Sequence, residues 1–345
     1  MYLVRPVGTA DIAALEALAG ASMPGVHTLP KTPDSIAAAI GRSIASFAAP
    51  VAIPDEQAYL FVLESTADGT LAGSAAIFAT AGSDGTYFSF RNDVIQQVSR
   101  DLNISHSLHA LTLCSELTGY SQLSGFYLRD IHHAGFEAAL LSRARLLFAA
   151  LAPQRFGNRF FVALPGLTDA AGQSPFWDAL GRKFFQMDFI DAEKVVGGAR
   201  NRTLIVELMP HYPVYVPLLA PAAQAVMGQV NTGAEVPFRL LLEEGFEAED
   251  YIDIFDGGPI LQAHKRALRS FSRSLLREVA TANLDDGAAA GQDVLYAVAA
   301  GTAQDFRAAT LACPALEASA SIGLPQALQD MLGVGPGERV ICVRI

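Results

Sequence analysis

The sequence predicts an α+β fold built around one central strand and the helix that follows it. Residues 122–128 form an apolar run, and from about Gly135 to Phe148 an apolar residue recurs every three or four positions. A strand, two helices and a β-hairpin precede this unit, and a small β-rich segment ends the chain. We interpret that last segment as a small C-terminal β-barrel.

The elements before the central strand follow from local signals. Residues 2–4 predict a short strand that ends at Pro6, and Thr9 can cap a helix with apolar residues at spacings of three. A second helix is predicted to begin near Pro33. Strands at 59–64 and 71–78 flank an Asp-Gly pair, which suits turns that need a positive φ, so a hairpin is predicted there.

Residues 85–122 are rich in polar and aromatic side chains. This composition favours an extended segment that decorates the sheet without building it. After the central unit, the pattern predicts strands at 159–164 and 203–209, with a short helix between them that is capped by Ser174.

The order of a helix, a glycine, an aromatic residue, an acidic residue and a strand occurs twice, around Gly181 and around Gly245. In the second occurrence, a helix at 222–227 and a strand at 251–255 are predicted. We interpret the pattern as a degenerate internal repeat. An Ala/Gly/Asp-rich linker is predicted at 281–291, and the strands of the terminal segment are predicted at 294–299, 306–311 and 339–345.

Composition limits the classes of partner. The chain of 345 residues is 51% hydrophobic and 17% charged, which is typical of a well-packed globular protein. Its net charge of -11 argues against nucleic acid or an anionic membrane as a partner. The three cysteines are far apart and have no zinc spacing, and the first residues do not resemble a signal peptide. We expect a cytoplasmic protein.

The central strand and helix also predict a candidate ligand site. The first N–H groups of a helix have no partner within it, and a small residue such as Gly135 lets a phosphate approach them. The alternative is an ordinary strand–helix unit whose loop binds nothing. The spacing of residues does not decide between the two.

The order of elements is that of the GNAT acyltransferase fold. Specific stretches of sequence also resemble the arginine/ornithine N-succinyltransferases, strongly over about 1–270 and weakly beyond, and most closely the alpha-subunit type. The stretches that carry this resemblance are 3–6, 59–64, 116–119, 174–177, 184–189, 207–210, 215–219, 228–230 and 251–259.

Together with the internal repeat and the terminal β-rich segment, the resemblance predicts three units: a GNAT-like core at 1–200, a partial second repeat at 201–275 that completes it, and the barrel at 276–345. It implies transfer of succinyl from succinyl-CoA to the α-amino group of L-arginine, without a metal. It also implies a sister beta subunit or a homo-oligomer. By the same resemblance, the backbone at Phe126, with Leu128 and Gly135, would bind the acyl-CoA.

Two positions depart from the family pattern. The family has an Arg-x-Gly-Gly-Asn-Gly type loop before the long helix, whereas residues 132–137 keep one of these glycines and place Phe136 and Glu137 where they would crowd a pyrophosphate. The family histidine regarded as the proton-transferring residue is Asn231 here. An amide does not titrate near neutral pH and cannot relay a proton.

Other histidines could replace the missing one. His211 and His109 are the candidates, although for each a structural role outweighs a catalytic one, since most histidines outside clefts are structural. The adjacent His132 and His133 have no third ligand at a suitable spacing, so we do not expect a metal there.

The arginine substrate would need a carboxylate for its guanidinium group and a cation for its carboxylate. Arg91 and Glu116 are the first candidates because their neighbours in sequence are aromatic. The other acidic options are Glu207, Asp253 and Asp256.

The leading hypothesis is therefore an arginine N-succinyltransferase subunit. One alternative is a non-catalytic subunit that stabilises or regulates a catalytic sister chain, which the changed loop and Asn231 favour. Another is the same transfer with ornithine as the acceptor.

Overall fold

The computed structural model describes residues 1–21, 32–196, 202–281 and 293–345. Within these residues, fifteen strands form one sheet. The strands are β1 (Tyr2–Pro6), β2 (Ala58–Ser65), β3 (Leu71–Phe78), β4 (Ser89–Ser99), β5 (Ile104–Cys114), β6 (Ser121–Leu128), β7 (Arg159–Ala163), β8 (Val214–Tyr215), β9 (Glu247–Ile252), β10 (Pro259–His264), β11 (Leu275–Thr281), β12 (Val294–Ala300), β13 (Arg307–Cys313), β14 (Ser321–Leu324) and β15 (Arg339–Arg344).

Helices pack against this sheet. They are α1 (Ile12–Ala21), α2 (Pro33–Ala48), α3 (Glu137–Leu151), α4 (Pro175–Ala179), α5 (Gly181–Phe185), α6 (Phe189–Val196), α7 (Arg202–Leu208), α8 (Pro221–Val226), α9 (Glu235–Glu244), α10 (Arg269–Ser272) and α11 (Gln326–Leu332). The prediction of a chain that mixes helices and strands is therefore confirmed. None of the helices in the described ranges is long and apolar enough to span a membrane.

The strand order is β14-β11-β15-β12-β13-β1-β2-β3-β6-β7-β10-β9-β4-β5-β8. Most neighbours are antiparallel, and the parallel pairs are β6 with β7 and β11 with β14. The last strands join the others through β13, where Ala309 pairs with Leu3 of β1. The predicted linker at 281–291 lies almost wholly outside the described residues.

The central unit forms as its sequence pattern predicts. Helix α3 is buried on nearly every side, because it lies between the sheet and neighbouring helices. Its residues Leu141 and Phe148 share one apolar cluster with Phe61 of β2, Phe160 of β7 and Ala308 of β13. A helix that is apolar all round is typical of such a central position.

A second apolar cluster includes residues of β4, β5, β7, β9 and β10 and of the helices α4 to α8. At its centre Trp177 is fully buried and donates its indole N–H to the carbonyl of Met187 at 3.0 Å. A Cβ on Gly181 would lie 2.2 Å from the Trp177 ring, so only glycine fits there. Gly245 instead ends α9 in a left-handed conformation. The two glycines of the proposed repeat thus have different local roles.

Two sequence predictions were wrong. Residues 203–209, predicted as a strand, form most of helix α7. Residues 85–122 do not merely decorate the sheet, because they supply β4, β5 and the start of β6.

Strands β4 and β5 pair with each other along their full length. Among the described residues, pairing of this hairpin with other strands involves only Phe90 and Arg91 of β4 and only Ala110 and Leu111 of β5. We call residues 92–109, which extend past these contacts, the ribbon. It carries four large apolar side chains that are 45% to 70% exposed: Val94, Val98, Leu102 and Ile104.

Candidate functional site

Strands β6 and β7 separate after their first residues. They pair in parallel at Ser121 with Phe160 and at Gln122 with Phe161, and no later pair joins them within the described chain, although β6 continues to Leu128. We call the space between 123–128 and 162–163 the β6/β7 gap. Backbone N–H and C=O groups along a separated strand edge can bind an extended ligand that itself carries amides.

Strand β6 has a bulge beside this gap. Tyr127 pairs with Ser74 of β3, and Ser124 pairs with Ala76, so two residues of β6 lie opposite one residue of β3. These two residues are Gly125, whose φ is +58°, and Phe126. The hydroxyl of Ser74 donates to the carbonyl of Gly125 at 3.1 Å. Phe126 therefore lies within the bulge itself.

The side chain of Arg145, on α3, lies against the same bulge. Its Nη1 donates to the carbonyl of Ser124 at 3.2 Å and to that of Ala76 at 3.4 Å. Its guanidinium carbon lies 5.3 Å from the centre of the Phe126 ring. Burial lowers the pKa of Arg145 to about 9, because no carboxylate within the described ranges forms an ion pair with it.

The loop between β6 and α3 is covered by the side chain of Glu137, the first residue of α3. Asp130 has a positive φ of 53°, a short 3-10 turn follows at Ile131–His133, and the helix then begins at Glu137. One carboxylate oxygen of Glu137 would be 3.1 Å from a Cβ on Gly135 and is itself buried. The carboxylate thus lies over the one glycine that the loop retains.

Asn231 lies at the end of β7. Its backbone N–H donates to the carbonyl of Pro165 at 2.8 Å, and its side-chain oxygen accepts from Gly233 at 3.0 Å. Its side-chain amide also donates to Gly166 at 3.4 Å. Asn231 therefore caps the turn before α9, a role that suits asparagine and does not require proton transfer.

Asp253 and Asp256 support the same region. Both carboxylates are buried and accept backbone N–H groups: Asp253 from Phe255 at 2.7 Å, and Asp256 from Gly166 and Gly258 at 2.7 Å each. These bonds hold the loop after β9 against the end of β7. The geometry gives the two carboxylates a structural role, and Glu207 lies exposed on α7.

The structure brings Arg91 and Glu116 together. They form an ion pair, and Arg91 also donates to Asp93 at 2.7 Å. Tyr251 donates its hydroxyl to Glu116. Hydrogen bonding from Arg91 lowers the pKa of Asp93, while burial and the neighbouring Glu116 raise the pKa of Tyr251. A substrate would have to exchange with these existing pairs.

The candidate residues lie on two sides of the sheet. Phe126 and Leu128 belong to the apolar cluster on the α3 side, whereas Tyr251, the partner of Glu116, belongs to the cluster on the other side. The β6/β7 gap lies in the sheet between those two sides, where the pairing of β6 with β7 stops.

The remaining histidines are dispersed. His211 is exposed in the loop before β8, and four strands separate β8 from β7. His109 is on the ribbon, where its Nδ1 is 3.0 Å from Asn92 Oδ1. His132 and His133 are exposed. The part of the chain that the structure describes contains no group of three or more His, Cys, Asp or Glu side chains arranged to hold a metal.

Sequence reasoning missed Arg145, Asp93 and Tyr251. Arg145 could have been noticed because it is one of two arginines within an otherwise apolar helix pattern. Asp93 and Tyr251 gave no local signal, since their partners come from other strands.

Comparison with known proteins gives matches along the whole chain. Residues 2–270 match the family described as arginine N-succinyltransferase beta subunit. The arginine N-succinyltransferase subunit alpha of Pseudomonas aeruginosa is 43% identical, with 100% of each chain covered. The beta subunit of that organism is 36% identical, with 79% of this chain and 79% of its own length covered.

A solved structure gives the same result. The arginine/ornithine succinyltransferase subunit AI from Pseudomonas aeruginosa matches with a TM-score of 0.88 and 40% identity. The match covers 100% of this chain and 98% of that one.

Proposed function

This chain belongs to the arginine N-succinyltransferase family, and from that premise we propose that it transfers the succinyl group of succinyl-CoA to the α-amino group of L-arginine. The resemblance inferred from the sequence is thereby confirmed, and the alpha-subunit type is favoured by the match over the full length. The transfer would serve arginine catabolism.

The observation that carries the proposal for the site is the β6/β7 gap. The pantetheine arm of CoA is extended and contains amides, so it can hydrogen-bond to the free edges of two separated strands. The backbone N–H of Phe126 would bind the thioester oxygen as negative charge develops on it. Leu128 and Gly135 would line the path towards the start of α3, where helix N–H groups favour a phosphate.

The reaction follows from this placement. The neutral α-amine of arginine attacks the thioester carbon, a C–N bond forms, and the C–S bond breaks to release CoA. The amine must lose a proton, and Asn231 can orient the amine but cannot accept that proton. We assign the proton to bound water, with His211 as the second candidate. Arg91 and Glu116 would bind the carboxylate and the guanidinium of arginine after their own ion pair opens.

We also propose the finer architecture on this basis. Residues 1–200 would form a GNAT-like core, residues 201–275 would complete it as a partial repeat, and residues 276–345 would form a small barrel. The parallel β6/β7 pair that separates beside α3 supports the first of these units, and the mutual pairing of β11, β12, β13, β14 and β15 supports the last.

The ribbon supports a proposal about the partner. A two-stranded ribbon is marginally stable alone, and interface centres are poor in charged residues. Between Val94 and His109, the charged residues are Arg100 and Asp101. Because the relatives include subunits named alpha and beta, we propose that a sister succinyltransferase subunit covers the ribbon. We place the enzyme in the cytoplasm, where the free state of Cys114, Cys313 and Cys342 would persist.

A second function has specific support. The Glu137 carboxylate over Gly135 and the capping role of Asn231 both favour a chain that supports a catalytic sister subunit without turning over substrate. Ornithine also stays an alternative acceptor, because the matched solved structure is that of an arginine/ornithine succinyltransferase subunit.

One experiment separates these functions. The isolated chain is titrated with succinyl-CoA by calorimetry, and release of the CoA thiol is then followed after addition of arginine or, separately, ornithine. Binding with arginine-dependent release supports the transferase. In a second outcome, the isolated chain binds succinyl-CoA without releasing the thiol, or shows neither binding nor release. If adding the sister subunit then restores release, the result supports the non-catalytic alternative. Faster release with ornithine would reassign the acceptor.

A further inference from the structure

The bulge in β6 interrupts the hydrogen-bond ladder between β3 and β6. Two residues of β6, Gly125 and Phe126, oppose the single residue Ala75 of β3, so the regular ladder is broken at this point. Backbone groups that lose their ladder partners in a buried place are costly unless another donor or acceptor satisfies them. Carbonyls beside the break are therefore stabilised by donors outside the regular ladder, as the Ser74 hydroxyl does for Gly125.

Arg145 supplies such a donor at one end of the bulge. It bonds to Ser124 and Ala76, which are the paired residues at one end of the bulge, and thus connects both strands to α3. Its guanidinium also packs over the ring of Phe126, the second residue of the bulge. The one side chain therefore restrains both the backbone and a side chain of the bulged segment.

The buried charge of Arg145 indicates that this residue does more than fill space in the core. The residue is 2% exposed, and its hydrogen-bond partners in the described chain are carbonyls and one hydroxyl. Arg143, two residues earlier on α3, is instead paired with the carboxylate of Glu244. Burying a cation without an anion is unfavourable, so an apolar side chain would serve better if packing were the only requirement.

We propose that Arg145 is a positioning residue for succinyl transfer, which holds the β6 bulge so that the Phe126 backbone keeps the geometry needed at the thioester. The inference rests on the proposed function, since it takes Phe126 to be the acyl-CoA contact. Arg145 itself does not touch the reacting atoms in this scheme. Loss of the restraint would displace the Phe126 backbone, and a displacement of about 1 Å can reduce a rate by roughly a hundredfold.

The chain offers a matched control in Arg155. This arginine is also buried, donates to the carbonyls of Ser46 and Ala49 at 3.0 and 3.2 Å, and packs over the ring of Tyr59. It connects the segment after α3 to the end of α2 and does not contact β6 in any described hydrogen bond. Substitution at Arg155 therefore reproduces the loss of a buried, carbonyl-bound arginine at a site without the bulge.

The test compares Arg145→Met and Arg145→Lys with Arg155→Met and Arg155→Lys in the active enzyme, together with the sister subunit if turnover requires it. The measurements are the thermal midpoint, kcat and KM for succinyl-CoA, and hydrogen exchange of the amides in residues 121–128. We expect Arg145→Met to reduce kcat/KM for succinyl-CoA by roughly tenfold to a hundredfold, with faster exchange in 121–128. Arg145→Lys should recover part of the loss, because it keeps a buried donor.

The Arg155 variants should lose comparable thermal stability but keep kcat/KM for succinyl-CoA within about twofold, because their site is remote from the bulge. Equal kinetic losses at Arg145 and Arg155, or unchanged exchange in Arg145→Met, would overturn the inference. If Arg145→Met does not fold, the comparison of the two lysine variants decides. Failure of the wild-type enzyme to bind succinyl-CoA would reject the proposed function, while the exchange measurement would still report whether Arg145 holds the bulge.

Discussion

A carboxylate oxygen of Glu244 lies 3.4 Å from Nε of Arg143, and both side chains are at most 3% exposed. The other oxygen of Glu244 accepts the backbone N–H of Ser270 at 2.6 Å. One buried ion pair thus joins α3 to α9 and to the start of α10. Burial lowers the pKa of Arg143 and raises the pKa of Glu244, so water would hold each charge better than the protein does.

We therefore expect the pair to be needed as a unit. Glu244→Leu should reduce the free energy of unfolding by about 3–5 kcal/mol, because it removes the only carboxylate among the described ion pairs of Arg143 that is buried with it. The double variant Arg143→Met with Glu244→Leu should recover most of that loss. Urea unfolding measures both. Glu243→Gln is the control: this carboxylate lies 4.0 Å from Nη2 of Arg143 but is half exposed, so its loss should change little. A double variant as unstable as the single one would contradict this expectation.

The Arg5–Asp11 pair predicts a specific dependence of stability on pH. Burial alone would raise the pKa of Asp11, but hydrogen bonds from Arg5 at 2.8 and 2.9 Å and from Gly8 at 2.7 Å outweigh it and lower the pKa. The depressed pKa means that the folded state holds the Asp11 proton less tightly than the unfolded state. Its stabilising contribution is present above the unfolded value of about 3.9 and is lost as pH falls through the folded pKa.

Asp11→Asn should consequently destabilise the protein at pH 7, and the difference from the wild type should shrink as the pH is lowered below about 4. Denaturant unfolding at a series of pH values measures this. A difference that stays constant down to the lowest accessible pH would show that the effect of the substitution is not electrostatic.

Asn231→His tests whether the chain lacks only a proton acceptor. We expect a gain in arginine-dependent CoA release, with a loss of about 1 kcal/mol of stability because the cap on Gly233 is removed. Asn231→Asp is the control, since aspartate keeps the cap but is not a base suited to neutral pH. If the histidine variant gains no rate in the assembled enzyme, the proton leaves by a route that does not involve position 231.

Glu137→Gln tests whether the carboxylate over Gly135 opposes a phosphate. Removing a like charge from the start of α3 should tighten binding of succinyl-CoA severalfold at low salt, with a smaller effect at high salt. Glu235→Gln removes a carboxylate from the first turn of α9 and should leave the affinity unchanged. Calorimetric titration of both variants decides, and an equal gain in both would indicate only a change in overall charge.

The exposed apolar ribbon predicts a change in assembly. Val94→Asp with Val98→Asp should weaken association with the sister subunit, while the thermal midpoint of the isolated chain changes little because both positions are exposed. Sedimentation of the mixed subunits measures the association. Unchanged association would place the interface elsewhere, and a loss of self-association of this chain alone would show that a second copy covers the ribbon.

The sequence predicts elements well where the signal is local. The central strand, predicted at 122–128, is Ser121–Leu128, and α3 begins two residues after Gly135. The strand predicted at 203–209 was wrong because a short apolar run such as Leu204, Ile205 and Val206 does not distinguish a strand from a helix.

The candidate site was less accessible to sequence reasoning because its contacts are long-range. Arg145 meets carbonyls on β3 and β6, and no pattern in α3 reveals a bulge in another element. The Arg91–Glu116 pairing was not predicted either, although both residues were chosen, since it depends on how β4 and the turn before β6 come together.

The pairing of Leu3 with Ala309 has a consequence for how the polypeptide matures. Strand β1 leaves the ribosome well before β13 does, so one of its edges stays open until β13 has been synthesised. At about 5–20 residues per second, that interval lasts roughly fifteen seconds to a minute. Nascent chains must therefore keep an aggregation-prone edge unpaired during this interval, and chaperone contact with β1 would be most valuable at this time.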